Sequence, residues 1–153
     1  MEEVYDFQED DIGRVILESS EKVGSLANQS SVQINVEGTE FPVAVNLDRG
    51  KISRAFINLF SNAIRYAESR VDVLLKYDGS NVYIEFNDDG PGFKEEETER
   101  VFERFFVGRK GDTGLGLAIT KAIVEKHGGK IKARNNISGA SITVVLPRSA
   151  KPV

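Results

Sequence analysis

Cysteine is absent from this 153-residue chain. Neither a disulfide nor a thiolate-bound zinc can hold the fold, which suits a reducing, cytoplasmic setting. No run of about 18 apolar residues occurs, so nothing in the sequence reads as a membrane span and no membrane contact is expected. No basic and apolar leader with a small-residue cleavage site opens the chain, so no secretory signal is expected. The Asn-x-Ser sequons at Asn28 and Asn136 therefore read as chance. Basic residues are in deficit, with 20 Lys and Arg against 24 Asp and Glu and a net charge of −4. That balance argues against general nucleic-acid binding. Histidine occurs once, at position 127.

What is present suffices for one core. Hydrophobic residues make up 40% of the chain and include nine Phe, and the length suits a single domain over residues 1–153. The acid is unevenly spread. Glu2, Glu3, Asp6, Glu9, Asp10 and Asp11 crowd the start, and Glu95, Glu96, Glu97 and Glu99 crowd the middle. An anionic ligand would need local cations, for which Arg65, Arg104, Arg109 and Lys110 are the candidates.

Apolar spacing of three and four predicts helices over 9–27, 51–67 and 115–126. Alternation predicts strands over 32–36 and 43–45 and two hairpins, 71–77 with 82–87 and 130–134 with 141–146. Residues 94–106 read as a short acidic helix. The sum is an α/β (α+β) sandwich: a sheet of about five strands covered on one face by three helices.

Two glycine-rich loops carry the chemistry. The first is Asp88-Asp89-Gly90-Pro91-Gly92. The second, Gly111-Asp112-Thr113-Gly114-Leu115-Gly116-Leu117, runs into an apolar helix. Glycine lets a backbone approach a ligand closely, and a helix start after such a loop offers N–H groups and a positive dipole to an anion. The earlier helix carries Asn58 and Asn62, four apart and on one side, with Arg65 and Tyr66 following. Asparagine is a poor mid-helix residue; the pair reads either as a solvated or hydrogen-bonded face or as a magnesium and phosphate face. The second loop is not a Walker loop, because no Lys-Ser/Thr follows. It is not a dinucleotide fingerprint, because no strand leads into it. Together these features point to a nucleotide, ATP with Mg²⁺.

In this order the segments resemble the motifs of the ATP-binding catalytic domain of sensor histidine kinases, in the GHKL ATPase/kinase group. Asn58 to Tyr66 resembles that family's asparagine box, and Asp89-Gly90-Pro91-Gly92 its first glycine box. Phe102-Glu103-Arg104-Phe105-Phe106 resembles its phenylalanine box, and Gly114-Leu115-Gly116-Leu117 its second glycine box, followed by His127-Gly128-Gly129. The resemblance implies a Bergerat-type fold with a mixed sheet. It implies Mg²⁺ on Asn62 and an adenine amino group on Asp89, with Asp88 structural. A lid over roughly 93–113 would carry Arg104, Arg109, Lys110 and Thr113, and Phe93 stands where the family has isoleucine. Asn58 takes the place of the glutamate that activates water in the ATP-hydrolysing members, and an amide cannot be a general base. That favours phosphoryl transfer over hydrolysis.

The family's phosphorylated histidine lies on a separate helical dimerisation domain that this sequence lacks. His127 reads as structural, about twelve residues and roughly 18 Å along its helix from the phosphate loop. The implied partners are that helical domain and a response regulator receiver domain. The competing reading is a GHKL serine kinase of the anti-sigma type, distinguished by an acid-stable phosphorylated product.

Overall fold

The computed structural model describes residues 3–104, 106 and 116–149. Five strands form one sheet in the order β2-β4-β5-β7-β6, comprising β2 (Gln33–Glu37), β4 (Arg70–Tyr77), β5 (Asn81–Asp88), β6 (Lys130–Asn135) and β7 (Ala140–Pro147). β2 runs parallel to β4 and the other neighbours are antiparallel, so the sheet is mixed. Helices α1 (Ile12–Lys22), α2 (Gly24–Gln29), α3 (Arg49–Tyr66) and α4 (Gly116–Lys126) complete the fold.

α3 is the spine. Ile52, Ala55, Phe56, Leu59, Phe60, Ala63 and Ile64 are all buried, a stripe at the helical period facing the sheet. Phe56 and Phe60 meet Phe86 of β5 with ring centroids 5.9 and 5.2 Å apart. β5 alternates strictly, so Val82, Ile84, Phe86 and Asp88 are buried while the residues between them are not. Each fully buried side chain of this size contributes about 1.5–3 kcal/mol. No described helix is long and apolar enough to cross a membrane.

Three expectations are corrected. Residues 9–27 are not one helix: Gln8–Asp11 form a strand, β1, which pairs antiparallel with β3 (Ala44–Leu47) in a separate two-stranded sheet. The helix begins only after Asp11, whose carboxylate caps Gly13 N at 3.1 Å and also receives Val43 N at 3.2 Å. It breaks at Val23, giving four α-helices among the described residues where three were expected. Among its described residues the acidic stretch 94–106 contains only a 3₁₀ turn, Glu95–Glu97. Adjacent carboxylates at 95, 96 and 97 repel one another, and the apolar residues of the stretch come only later, at Val101, Phe102 and Phe106.

Asp48 ties the corner where β3 enters α3. Its carboxylate accepts from Lys51 N at 2.9 Å, capping α3, and from Asp6 N at 2.8 Å. Its own N–H donates to Nε2 of His127 at 3.0 Å, and Nδ1 of that ring bonds the Ile123 carbonyl at 2.8 Å. The ring is thus neutral, with the proton on Nδ1. Tyr5 and Phe7 lie edge-on to it, with centroids 5.7 and 5.0 Å away. His127 is 7% exposed. Burial holds its pKa below the usual histidine value and outweighs the Ile123 carbonyl and the nearby Asp48 charge. The imidazolium form of His127 is therefore disfavoured.

The sign follows from the lowered value. The histidine contribution to stability is present above the unfolded pKa of about 6.5 and is lost as pH falls through the folded value. The melting temperature is expected to drop between pH 7 and pH 5, before the carboxylates titrate, and His127→Gln is expected to flatten that slope. Equal slopes by scanning calorimetry would place the acid sensitivity elsewhere.

Candidate nucleotide site

α3 and α4 pack side by side, bringing the asparagine helix against the first turn after the second glycine loop. Asn58 Nδ2 lies 3.5 Å from Thr120 Oγ1, and that hydroxyl bonds the Gly116 carbonyl at 2.9 Å. Thr120 is fully buried. It was not singled out from the sequence, although a threonine one turn into an apolar helix that follows a glycine loop was an available signal. Asn58 and Asn62 are both half-buried along the same side of α3, with Arg65 exposed in its last turn and Tyr66 half-buried at its end. Leu117, in the first turn of α4, is buried. Arg104 is exposed. Arg109, Lys110, Thr113, Gly114 and Leu115 lie outside the described residues.

The first glycine loop leaves β5 beside the C-terminus of α3. Here the two adjacent aspartates stand in different surroundings, and those of Asp89, expected to meet adenine, are made by the start of β4. Asp89 Oδ1 accepts from the N–H groups of Glu68, Ser69 and Arg70 at 2.8, 3.0 and 3.1 Å, and Oδ2 accepts the Ser69 hydroxyl at 2.5 Å. Both oxygens are committed to the start of β4. These hydrogen bonds outweigh desolvation and hold the carboxyl far below the usual aspartate range. Asp88 extends the buried stripe of Val82, Ile84 and Phe86, so by the period of two it stands on the helix-facing side of the sheet. It is 4% exposed, and its Oδ1 accepts from Gly90 N at 2.9 Å.

The glycines of this loop meet protein as well. A Cβ on Gly90 would stand 2.0 Å from the Tyr66 carbonyl oxygen. Gly92 has φ +81°, and a Cβ there would come within 2.7 Å of Asn135 Oδ1. The sequence suggested a ligand as the reason for these glycines; the end of α3 and the end of β6 are sufficient reasons. Phe93 is buried at 6% exposure and Phe102 is also core. Phe106 packs on the core with the Arg100 guanidinium 5.0 Å from its ring centroid.

The arrangement is thus two amides on one side of α3, the first turn of α4 across from Asn58, and a buried carboxylate at the end of β5. Among the described residues no group of three His, Cys, Asp or Glu could hold a metal unaided. A divalent cation here would take an amide oxygen and complete its shell from phosphates and water, which is ordinary magnesium chemistry.

Comparison with known proteins agrees with this geometry. Residues 47–150 match the family described as histidine kinase-, DNA gyrase B-, and HSP90-like ATPase. The sensor-like histidine kinase SenX3 of Mycolicibacterium smegmatis is 33% identical over 93% of this chain and 39% of its own length. Sporulation kinase B of Bacillus subtilis is 29% identical over 95% of this chain, which spans 35% of that kinase. The catalytic domain of histidine kinase ThkA superposes with a TM-score of 0.86 at 27% identity, covering 94% of this chain and 96% of that one. ThkA in complex with the response regulator TrrA aligns at 0.82 and 25% identity, over 94% of this chain and 42% of that one. A mycobacterial sensor histidine kinase, MprB, superposes at 0.81 with 32% identity, covering 97% of this chain and all of the other. The chain belongs to the family of histidine kinase-, DNA gyrase B-, and HSP90-like ATPases, and within it to the catalytic domains of sensor histidine kinases.

Proposed function

We propose that this domain binds ATP with Mg²⁺ in the space between α3, the first turn of α4 and the Asp88–Gly92 loop, and presents the γ-phosphoryl group to a histidine on a separate helical dimerisation domain. The observation that carries the reading is the contact of Asn58 with Thr120 in the first turn of α4, with Asn62 one turn further along the same side of α3 and Asp88 buried at the strand end on the helix-facing side of the sheet. Adenine recognition moves from Asp89 to Asp88. A carboxylate accepting from an exocyclic amino group is a charge-assisted bond, and it disfavours guanine, whose oxygen would face it.

Asn62 would hold the metal through its side-chain oxygen, and Arg65 and Arg104 would supply positive charge. Arg109, Lys110, Thr113, Gly114 and Leu115, together with Gly116 and Leu117, would line the phosphate side. Bound magnesium would neutralise charge on the phosphates. Asn58 offers no carboxylate to activate water and spends its amide on the contact with Thr120, which favours transfer over hydrolysis.

His127 cannot be the acceptor. Both its ring nitrogens are hydrogen-bonded and the ring is buried. His127 is the one histidine of the sequence, which supports transfer of the phosphoryl group out of this domain to a helical partner. A response regulator receiver domain would follow, as the ThkA–TrrA complex suggests.

Asn62→Ala is expected to remove the metal dependence of nucleotide binding. Mg²⁺ should tighten ATP about tenfold or more in the wild type, equivalent to about 1.4 kcal/mol or more, and leave the variant nearly unchanged. Equal enhancement of both by titration calorimetry would put the metal on another residue.

A further inference from the structure

The loop Gly90–Phe93 is gripped by the hairpin of β6 and β7. Asn135, the last residue of β6, spans the backbone of Phe93 with both ends of its amide. Its Oδ1 accepts from Phe93 N at 2.8 Å and its Nδ2 donates to the Phe93 carbonyl at 2.8 Å. One side chain thus replaces a strand residue. Only a group carrying an acceptor and a donor at that span does this, because a carboxylate would face the carbonyl with an oxygen and a hydroxyl is too short to bridge both.

The neighbours are arranged to permit it. Gly92 in the left-handed region leaves room for the amide. Asn136 fixes the hairpin turn by accepting from Ser138 N and Gly139 N at 2.9 and 2.8 Å, and its Nδ2 donates to Asn87 Oδ1 in β5 at 3.1 Å. Phe93 itself is buried. From Lys94 to Arg104 the non-helical backbone hydrogen bonds are local, such as Glu97 N to the Lys94 carbonyl and Arg100 N to the Glu97 carbonyl.

We propose that Asn135 is a positioning residue for nucleotide binding. By pinning both backbone polar groups of Phe93, it fixes the far end of the loop whose near end carries Asp88, and so sets where the buried carboxylate and Gly90 stand. Asn135 itself touches no nucleotide. The inference rests on the ATP reading above.

The test measures Mg²⁺-ATP affinity, the melting temperature and amide hydrogen exchange at Phe93 in the wild type, Asn135→Ala and Asn135→Asp. Asn135→Ala is expected to weaken ATP roughly tenfold, about 1.4 kcal/mol, and to speed exchange at Phe93, with affinity read well below its melting temperature. Asn135→Asp keeps the acceptor for Phe93 N but turns a carboxylate oxygen toward the Phe93 carbonyl, so it too is expected to weaken ATP and speed exchange at Phe93, and it supplies a second variant if the alanine protein unfolds. A purely structural role would lower the melting temperature and leave affinity unchanged. Unchanged affinity with faster exchange overturns the positioning role while the ATP reading stands. Unchanged exchange shows that the clamp is not what holds Phe93, and also overturns it. A wild type that does not bind ATP removes the ATP reading and this inference together.

Discussion

Asp88→Asn is expected to lower ATP affinity roughly 10- to 150-fold, the equivalent of the 1.5–3 kcal/mol of a hydrogen bond to a charged group, while the fold survives. Asp89→Asn is expected to do the reverse. Its parent carboxylate accepts three backbone N–H groups and a hydroxyl where α3 hands over to β4. Its loss should cost about 1.5–3 kcal/mol of stability and change affinity little when measured well below the melting temperature. The lowered Asp89 pKa gives the same residue a pH signature. The stability it contributes is present above the unfolded aspartate value of about 3.9 and is lost as pH falls below it. Calorimetric titration beside thermal melts of the two variants checks both halves. If Asp89→Asn loses nucleotide and Asp88→Asn does not, the two roles are interchanged.

Gly90→Ala should damage fold and site at once. The added methyl would sit 2.0 Å from the Tyr66 carbonyl oxygen, and that neighbour is backbone, not the movable end of a side chain. Either the end of α3 or the loop must shift. Overpacking of this kind costs about 1–3 kcal/mol, and the shift moves Asp88 relative to Asn62 across the proposed site. A loss of melting temperature together with at least a tenfold loss of ATP affinity is expected. A protein that melts and binds like the wild type would show that the close approach is relieved without consequence.

The sequence was most informative where one period decided the outcome. The Ile52 to Ile64 stripe located α3 to within two residues at each end, and Val82, Ile84 and Phe86 located β5. β1 was hidden because its pairing is non-local: Gln8–Asp11 become a strand only against Ala44–Leu47. Their acidic composition, directly before the apolar spacing that starts at Ile12, reads as a helix start. The break at Val23 was equally hidden, since Val23 and Leu26 continue the helical spacing through it.

At the site, the asparagine pair and the loop order were legible because helical spacing and glycine clustering are local signals. The different surroundings of Asp88 and Asp89 were also available. Extending the inward stripe of β5 by one more period reaches residue 88, and residue 89 falls outside the strand. The Tyr66 carbonyl behind Gly90 and the Asn135 clamp were not available, because each joins segments more than twenty residues apart whose approach only the folded sheet defines.

The most direct measurement gives this chain γ-radiolabelled ATP with Mg²⁺, alone and with a separately expressed helical domain carrying the acceptor histidine of the same kinase. Label that appears only on the added domain and is lost in acid is the expected result, with the chain alone unlabelled and releasing little phosphate. Acid-stable label on the partner would mark a serine kinase. Acid-labile label on this chain alone, abolished by His127→Ala, would contradict the reading of a catalytic domain whose acceptor lies elsewhere.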